Sequence, residues 1–216
     1  METAALKRLV LQGEGDRLEF KLKANHPDKI ARELVAFANT DGGILLVGVD
    51  DDGTIYGSKT IDEEAYVIRR YLEDHCRPRL ICREEVIDIS ARKQVLALHV
   101  SPSSQKPHFL HPHQDDRRVS FVRSGDMSIT ASREMIQLMR HREQGVSLRF
   151  GDPERVLLAH LESVPNITLD QTQKLLKTTR RDASIKLVLM VRAGLLRIHP
   201  SEKGDYFSLA EEAFGF

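Results

Sequence analysis

The chain has 216 residues, 41% of them hydrophobic, which is enough for one large domain or two modest domains with packed cores. Its 32 basic and 32 acidic residues cancel, so a surface for a polyanion must come from local segregation of charge. The sequence contains neither an apolar run of membrane-spanning length nor the pattern of a signal peptide. Cys76 and Cys82 suit neither a disulfide framework nor a metal knuckle. We therefore expect a cytoplasmic protein with reduced thiols and no membrane partner.

The first elements are short and amphipathic. Leu6, Leu9 and Val10 at helical spacing predict a helix that ends at residues 12–13. Apolar and charged residues then alternate from Leu18 to Lys23. This alternation predicts a strand that buries one face and presents a carboxylate flanked by two ammonium groups on the other.

A helix and a buried strand come next. Apolar residues at helical spacing follow Asp28, the expected N-cap, and the glycines at 42 and 43 supply the backbone conformation that ends the helix. Residues 44–49 form a continuous apolar run, which predicts a strand buried on both faces. The turn at 50–53 then leads into a second strand at 54–56, as a hairpin.

The middle of the chain continues with helices, strands and one long loop. The patterns place a helix at 61–75, strands at 85–90 and 94–100, a loop at 101–117, a strand at 119–123 and a helix at 131–142. These elements predict an α/β (α+β) domain with a mixed sheet over residues 1–145. The charged, glycine-bounded stretch 141–151 is the expected domain boundary.

The last part of the chain, 152–216, has a different pattern of elements. Its elements are a helix opening at Pro153, a helix at 169–177 capped by Thr168, a helix at 181–193 ended by Gly194, and hairpin strands at 195–198 and 206–209. Three helices followed by a hairpin is the order of a winged helix-turn-helix. We therefore expect a small winged-helix domain.

Three carboxylates near the first two strands are candidate catalytic and metal-binding residues. Glu14 lies between two glycines, so the chain can bend there and bring it to Glu19, while Asp50 ends the buried strand. Converging carboxylates repel one another unless a cation lies between them, and oxygen ligands favour Mg²⁺, Mn²⁺ or Ca²⁺, which can activate water for phosphodiester cleavage. The alternative is that Glu19 pairs with Lys21 or Lys23, that Glu14 is solvated, and that Asp50 belongs to a turn.

Basic residues are concentrated between positions 174 and 203. They are Lys174, Lys177, Arg180, Arg181, Lys186, Arg192, Arg197 and Lys203, against Asp182 and Glu202. In a winged helix the N-terminal residues of the third helix enter the major groove, which makes Thr179, Arg180, Arg181 and Lys186 candidate nucleic-acid contacts, with Lys203 on the wing. The alternative is a winged helix used for dimer or protein contact.

Other patterns are less informative. Lys21 and Arg123 are candidate phosphate contacts in the first domain, with ordinary surface charge as the alternative for the arginine. His108, His111 and His113 resemble a metal cluster, but the neighbouring prolines favour a solvated loop. The sequence lacks a GxxxxGK[ST] loop, so we expect no nucleotide cofactor.

Three ordered blocks, GEGDRLEFK, AFANTDGG and GVDDDG, resemble the Schlafen AlbA-type domain, which is often described as DNA-binding in bacterial proteins. The resemblance extends through the segment SFVRSG at 120–125 and the following helix. By this resemblance Glu14 and Glu19 match two glutamates of the nuclease triad, and Asp50 matches the later acidic residue, a position that Asp51 or Asp52 could also fill. Eukaryotic Schlafens pair two such domains, so the resemblance implies that this chain forms a homodimer.

The sequence is compatible with three functions. The leading hypothesis is a DNA-binding transcriptional regulator with an AlbA-type domain and a winged helix. The alternative is an endoribonuclease that uses Mg²⁺ or Mn²⁺ at the three-carboxylate site. A third possibility is a protein-interaction adaptor with a vestigial site.

Overall fold

The computed structural model describes residues 1–111, 118–141 and 146–210. The chain forms two compact units, Met1–Thr130 and Ala131–Phe216. The helix Arg133–Arg140 lies in the second unit, where it packs against the helix Arg180–Arg192. The sequence patterns place that helix with the first domain, because a local pattern does not reveal which unit covers a helix.

The first unit contains three helices and several short strands in the described residues. They are α1 (Thr3–Val10), β1 (Leu18–Lys21), α2 (Pro27–Asn39), β2 (Gly43–Val47), α3 (Ile61–His75), β3 (Cys76–Arg77), β4 (Arg83–Ser90), β5 (Lys93–Val100), β6 (Phe109–Leu110), β7 (Phe121–Ser124) and β8 (Met127–Thr130).

A four-stranded mixed sheet organises this unit, in the order β1-β2-β5-β4. Strand β1 runs parallel to β2, with Leu18 opposite Ile44, while β2 and β4 are each antiparallel to β5. The pairs β3–β6 and β7–β8 form small separate ladders. The expectation of a mixed α/β fold is confirmed.

Two apolar clusters cover the two faces of the sheet. On one face Phe37 of α2 and Ile68 of α3 pack with Leu45 and Leu96. On the other face Leu6 of α1 packs in a cluster with Phe20, Leu46 and Val95. Successive residues of β2 therefore point into different clusters, which confirms the prediction of a strand buried on both faces.

The ends of α2 and β2 differ in part from the sequence-based expectations. The N-cap of α2 is His26, and Asp28 lies in the first turn, where its charge favours the helix dipole. At the other end a Cβ on Gly43 would lie 2.5 Å from the Phe37 ring, so close packing requires glycine there. Residues 54–56 form only an isolated bridge, between Val49 and Ile55, and the expected second hairpin strand is absent from this described segment.

The second unit contains four helices and a small sheet in the described residues. They are α4 (Arg133–Arg140), α5 (Asp152–Ser163), β9 (Ile167–Thr168), α6 (Leu169–Leu175), α7 (Arg180–Arg192), β10 (Leu196–His199) and β11 (Tyr206–Leu209). Strand β11 pairs with both β10 and β9. A core that includes Leu157, Leu187 and Phe207 joins the helices to the sheet. None of the helices in the described ranges of either unit has the length and apolar character needed to cross a bilayer.

Candidate nucleic-acid interface

Glu19 of β1 lies in the interior of the first unit, although the sequence places it on a charged, accessible face. Its side chain is buried because Arg123 of β7 and Glu33 of α2 come against this face of β1. The Nη1 atom of Arg123 lies 3.0 Å from Oε2 of Glu19 and 2.7 Å from Oε2 of Glu33. One guanidinium therefore pairs with two carboxylates.

Arg123 is buried among further partners from the same unit. Its Nη2 atom donates to the carbonyl oxygen of Gly15 over 2.6 Å, and the guanidinium lies 5.0 Å from the centroid of the Phe37 ring. The residue is only 4% exposed. This arginine joins β7 to the loop before β1 and to α2, and it does not present a free face to a phosphate.

Glu14 approaches Glu19 through the bend at the flanking glycines. Its Oε1 atom accepts a hydrogen bond from the backbone N–H of Phe20 over 2.7 Å. The pKa of Glu14 is raised, mainly because the side chain is partly buried and also because Glu19 and Asp51 carry negative charge nearby. The hydrogen bond from Phe20 and the positive charge of Lys21 lower the pKa, but by less. Lys21 itself donates to Glu19 and, over 2.7 Å, to the Phe20 carbonyl oxygen. Lys21 thus compensates charge inside the cluster.

Asp50 belongs to the turn after β2. Its Oδ1 atom accepts from the N–H of Asp51 over 3.1 Å, and its backbone bonds to Gly53 and Thr54 close the turn. Asp51 is the aspartate whose charge acts on Glu14. Within residues 1–111, 118–141 and 146–210, no three His, Cys, Asp or Glu side chains are grouped as metal ligands. The three-carboxylate metal site therefore stays a prediction.

Two polar residues of α2, the half-buried Glu33 and the buried Asn39, were not singled out from the sequence. Glu33 lies four residues before Phe37, on the same helical face. This spacing was the sequence feature that could have indicated that Glu33 faces the interior. Asn39 accepts from the N–H of His108 over 2.8 Å and donates to the carbonyl oxygen of Phe121 over 2.9 Å. Asn39 therefore ties the end of α2 to β7, but nothing in the local sequence indicates those distant partners.

The histidine-rich segment is only partly the solvated loop that its composition predicts. His108 is 2% exposed, and its ring nitrogens lie 2.9 Å from the carbonyl oxygen of Pro78 and 2.7 Å from Oγ of Ser103. Burial is the main reason why the pKa of His108 is lowered. His113 lies outside the described residues.

In the second unit, two of the predicted contacts support the local structure of α7. Thr179 caps α7, because its Oγ1 accepts from the N–H of Asp182 over 3.1 Å and donates to that carboxylate over 2.7 Å. Lys186 forms a salt bridge with the buried Glu154 of α5. The hydrogen bonds of these side chains stabilise helix ends and helix packing.

The other predicted contacts of this unit lie at the surface. Arg180 forms an exposed salt bridge with Asp170 of α6. Arg181 and Lys203 are exposed, and neither forms a salt bridge with another residue in the described part of the chain. Lys174, Lys177 and Arg197 are exposed as well. The surface of the second unit therefore carries, at the start of α7 and in the β10–β11 turn, cationic groups without an ion-pair partner among the described residues.

Comparison with known proteins gives a family match and two distant structural likenesses. The family model described as Schlafen, AlbA_2 matches residues 14–132. No curated protein matches the chain. The N-terminal domain of a RecG-related protein from Nitrosomonas europaea, related to ATP-dependent DNA helicases, is similar with a TM-score of 0.44 and 21% identity, over 54% of this chain and 85% of that domain.

The DIP2311 protein from Corynebacterium diphtheriae is similar with a TM-score of 0.45 and 18% identity, over 80% of this chain. The match spans 32% of that protein, so most of its length has no counterpart here.

Proposed function

Because this chain belongs to the Schlafen, AlbA_2 family, we propose that it is a DNA-binding transcriptional regulator whose second unit is a winged helix-turn-helix. The family points to a function that involves nucleic acid. The transcriptional role and the winged helix go beyond the family match and are part of what we propose. DNA is the proposed partner, and RNA is the alternative that the binding experiment compares.

The order of elements in the second unit supports this proposal. Three helices, α5 to α7, precede the β10–β11 hairpin, and β9 adds a short third strand to that hairpin. In helix-turn-helix proteins the N-terminal residues of the second helix of the motif contact base edges. In this unit α6 and α7 would be that pair, with the Thr179 cap at the start of the recognition helix.

The observation that carries the proposal is the exposure of Arg181 and Lys203, neither of which forms a salt bridge within residues 146–210 or the other described ranges. An ammonium or guanidinium group that is free of carboxylate partners can replace the counterions of a DNA phosphate without first breaking an ion pair. By contrast, Lys186 would have to leave the buried Glu154, and Arg123 would have to leave Glu19 and Glu33. We therefore assign DNA contact to Arg181 and Lys203 and charge balance to the other two.

Fluorescence anisotropy with a labelled duplex tests this assignment. The Arg181→Ala/Lys203→Ala double variant should bind more weakly, and the slope of log K against log salt should become shallower by about one for each lost phosphate contact. Arg155→Ala removes an exposed arginine of α5 and is the matched control. An unchanged affinity and salt slope in the double variant would remove the proposal's main support. The same titrations with single-stranded and duplex RNA compare the two nucleic acids.

A metal-dependent endoribonuclease is the second candidate. The observation that favours it is the raised pKa of Glu14 beside Glu19, because perturbed carboxyl groups often mark catalytic sites. Glu14→Gln is the appropriate variant, since an amide oxygen can still accept from Phe20 while the ionisable group is lost. Cleavage of labelled transfer RNA with Mn²⁺ that EDTA abolishes and that Glu14→Gln lacks would establish this activity. RNA that stays intact with the wild-type protein would reject it.

A further inference from the structure

The first unit contains a surface pocket of about 780 Å³ beside the end of β1 and the start of α3. Leu22, Tyr56 and Val67 supply its apolar surface and are 38%, 47% and 42% exposed. Small-molecule sites commonly have volumes of about 300–1,000 Å³. An exposed tyrosine ring beside aliphatic side chains suits a flat aromatic group, because it provides a stacking surface at little cost in conformational freedom.

Three lysines line the same pocket. Lys23, Lys59 and Lys93 form no salt bridge with any residue in the described ranges. Two carboxylates, of Glu63 and Glu64, also line it. The ammonium groups therefore exceed the carboxylates by one, which suits a ligand with a single phosphate better than a triphosphate.

Glu64 holds two walls of the pocket in place. Its Oε2 atom accepts from the N–H of Ala24 over 2.9 Å, and its Oε1 atom accepts from the hydroxyl of Ser58. The N–H of Ser58 in turn donates to the carbonyl oxygen of Gln94 over 2.7 Å. The segments that carry Lys23 and Lys59 are thus fixed to α3 and β5, and the pocket is largely formed before any ligand arrives.

Gly57 lets the tyrosine-bearing segment lie against β5. Its φ is +65°, and a Cβ at this position would lie 3.0 Å from the Cβ of Lys93. A side chain here would be strained and would push the two segments apart. The close approach keeps Tyr56 and Lys93 at one pocket, so an aromatic ring and a cation face the same ligand.

We propose that this pocket binds one nucleotide, with its base stacked on Tyr56 and its phosphate held by the lysines. Stacking on an aromatic ring accepts any base, and lysine recognises phosphate as a point charge. The ligand is either a free nucleoside monophosphate or an unpaired nucleotide of a strand, which share this chemistry. All lining residues belong to the first unit, whereas Arg181 and Lys203 belong to the second.

Calorimetric titration of the full chain at low salt tests the pocket, with AMP, inorganic phosphate and a short single-stranded oligonucleotide as probes. Tyr56→Ala should weaken AMP and oligonucleotide binding at least about fivefold, as expected when stacking is lost. Tyr56→Phe keeps the ring and should bind as the wild type does. Tyr66→Ala is the matched control, because this tyrosine is 62% exposed and does not line the pocket.

Substitutions of charged residues give a second test, because replacing a lysine and replacing a glutamate should change the affinity in opposite directions. Lys59→Gln should weaken AMP binding and Glu63→Gln should strengthen it, while Lys29→Gln, which changes a lysine outside the pocket, should have no effect. Oligonucleotide binding at least about tenfold tighter than AMP binding identifies a strand as the ligand, and equal affinities identify the free nucleotide. The effect of Tyr56→Ala must persist in the Arg181→Ala/Lys203→Ala background, which separates this site from the DNA surface.

Three results would overturn the proposal. The first is that neither AMP nor the oligonucleotide binds. The second is that Tyr56→Ala and Tyr66→Ala bind alike. The third is that phosphate displaces AMP at equal concentration, which would make the pocket a simple anion site.

Discussion

At the residue scale, Arg123 is a buried charged residue of the first unit that contacts several polar and aromatic partners at once. Its guanidinium faces two carboxylates, a carbonyl oxygen and an aromatic ring, and it is almost wholly removed from water. The two carboxylates, of Glu19 and Glu33, have side chains that are 8% and 12% exposed. Without the arginine, both would be negative, close together and poorly solvated, which is costly in a low-dielectric interior.

Arg123→Ala should therefore lower the free energy of unfolding by about 3–5 kcal/mol. Arg123→Lys should recover only part of that loss, because an ammonium group cannot reproduce the forked contacts of a guanidinium. Urea denaturation followed by circular dichroism measures both. Arg70→Ala removes an exposed arginine that pairs with Asp74 and should change the stability by less than about 1 kcal/mol. Equal effects of Arg123→Ala and Arg70→Ala would show that the buried cluster is not stabilising.

Glu14 should make stability depend on pH in a defined direction. Because the folded-state pKa is raised above the unfolded value near 4.5, the native state binds this proton more tightly. The resulting stabilisation is fully present below pH 4.5 and is lost as the pH rises through the folded-state pKa. Glu14→Gln removes this titration, so between pH 4 and pH 7 its stability should fall less, or rise more, than that of the wild type. Parallel stability curves for the two proteins would contradict the raised pKa.

At the element scale, the pair Lys186–Glu154 links α7 to the start of α5. Glu154 also accepts from the N–H of Gly151 over 2.9 Å, which caps α5. Burial alone would raise the pKa of Glu154, but the hydrogen bonds from Lys186 and Gly151 keep it below its ordinary value. The lysine therefore stabilises a buried anion at a helix N-terminus.

Lys186→Ala should destabilise the second unit by about 1–3 kcal/mol, because it leaves the Glu154 carboxylate without its charged partner. Lys174→Ala, at an exposed position of α6, should stay within about 0.5 kcal/mol of the wild type. Thermal unfolding of the full chain, analysed for two transitions, measures the difference. A variant whose second-unit transition is unchanged would show that this salt bridge adds nothing.

Sequence patterns predict elements better than they predict what covers them. The periodicity of α3 and the Thr168 cap of α6 are confirmed, because those signals are local. The alternation in β1 correctly separates two faces, but it does not reveal that Arg123 and Glu33 cover the polar one. Strand β9 was not predicted, because a strand of two residues is too short to show a periodic pattern of apolar residues. Non-local partners decide the parts of the candidate site that sequence alone does not give.

At the scale of the whole molecule, we propose that two chains associate. The family model matches one segment, residues 14–132, and the resemblance to eukaryotic Schlafens, with two such domains paired, implies that a homodimer would form the pair. Light scattering at working concentration should then give twice the chain mass of 24.5 kDa. A mass equal to one chain, at concentrations where DNA binding is observed, would contradict the dimer.

The contacts of Arg123 also determine when the first unit can fold during synthesis. Glu19 and Arg123 are 104 residues apart, and Gly15 and Arg123 are 108 apart. A ribosome adds about 5–20 residues per second, so the carboxylate of Glu19 waits roughly 5–20 s for its partner to be made. Until β7 emerges, Glu19 and Glu33 lack their shared guanidinium partner. The first unit therefore completes this buried cluster only after Arg123 has been synthesised, well after β1 and α2.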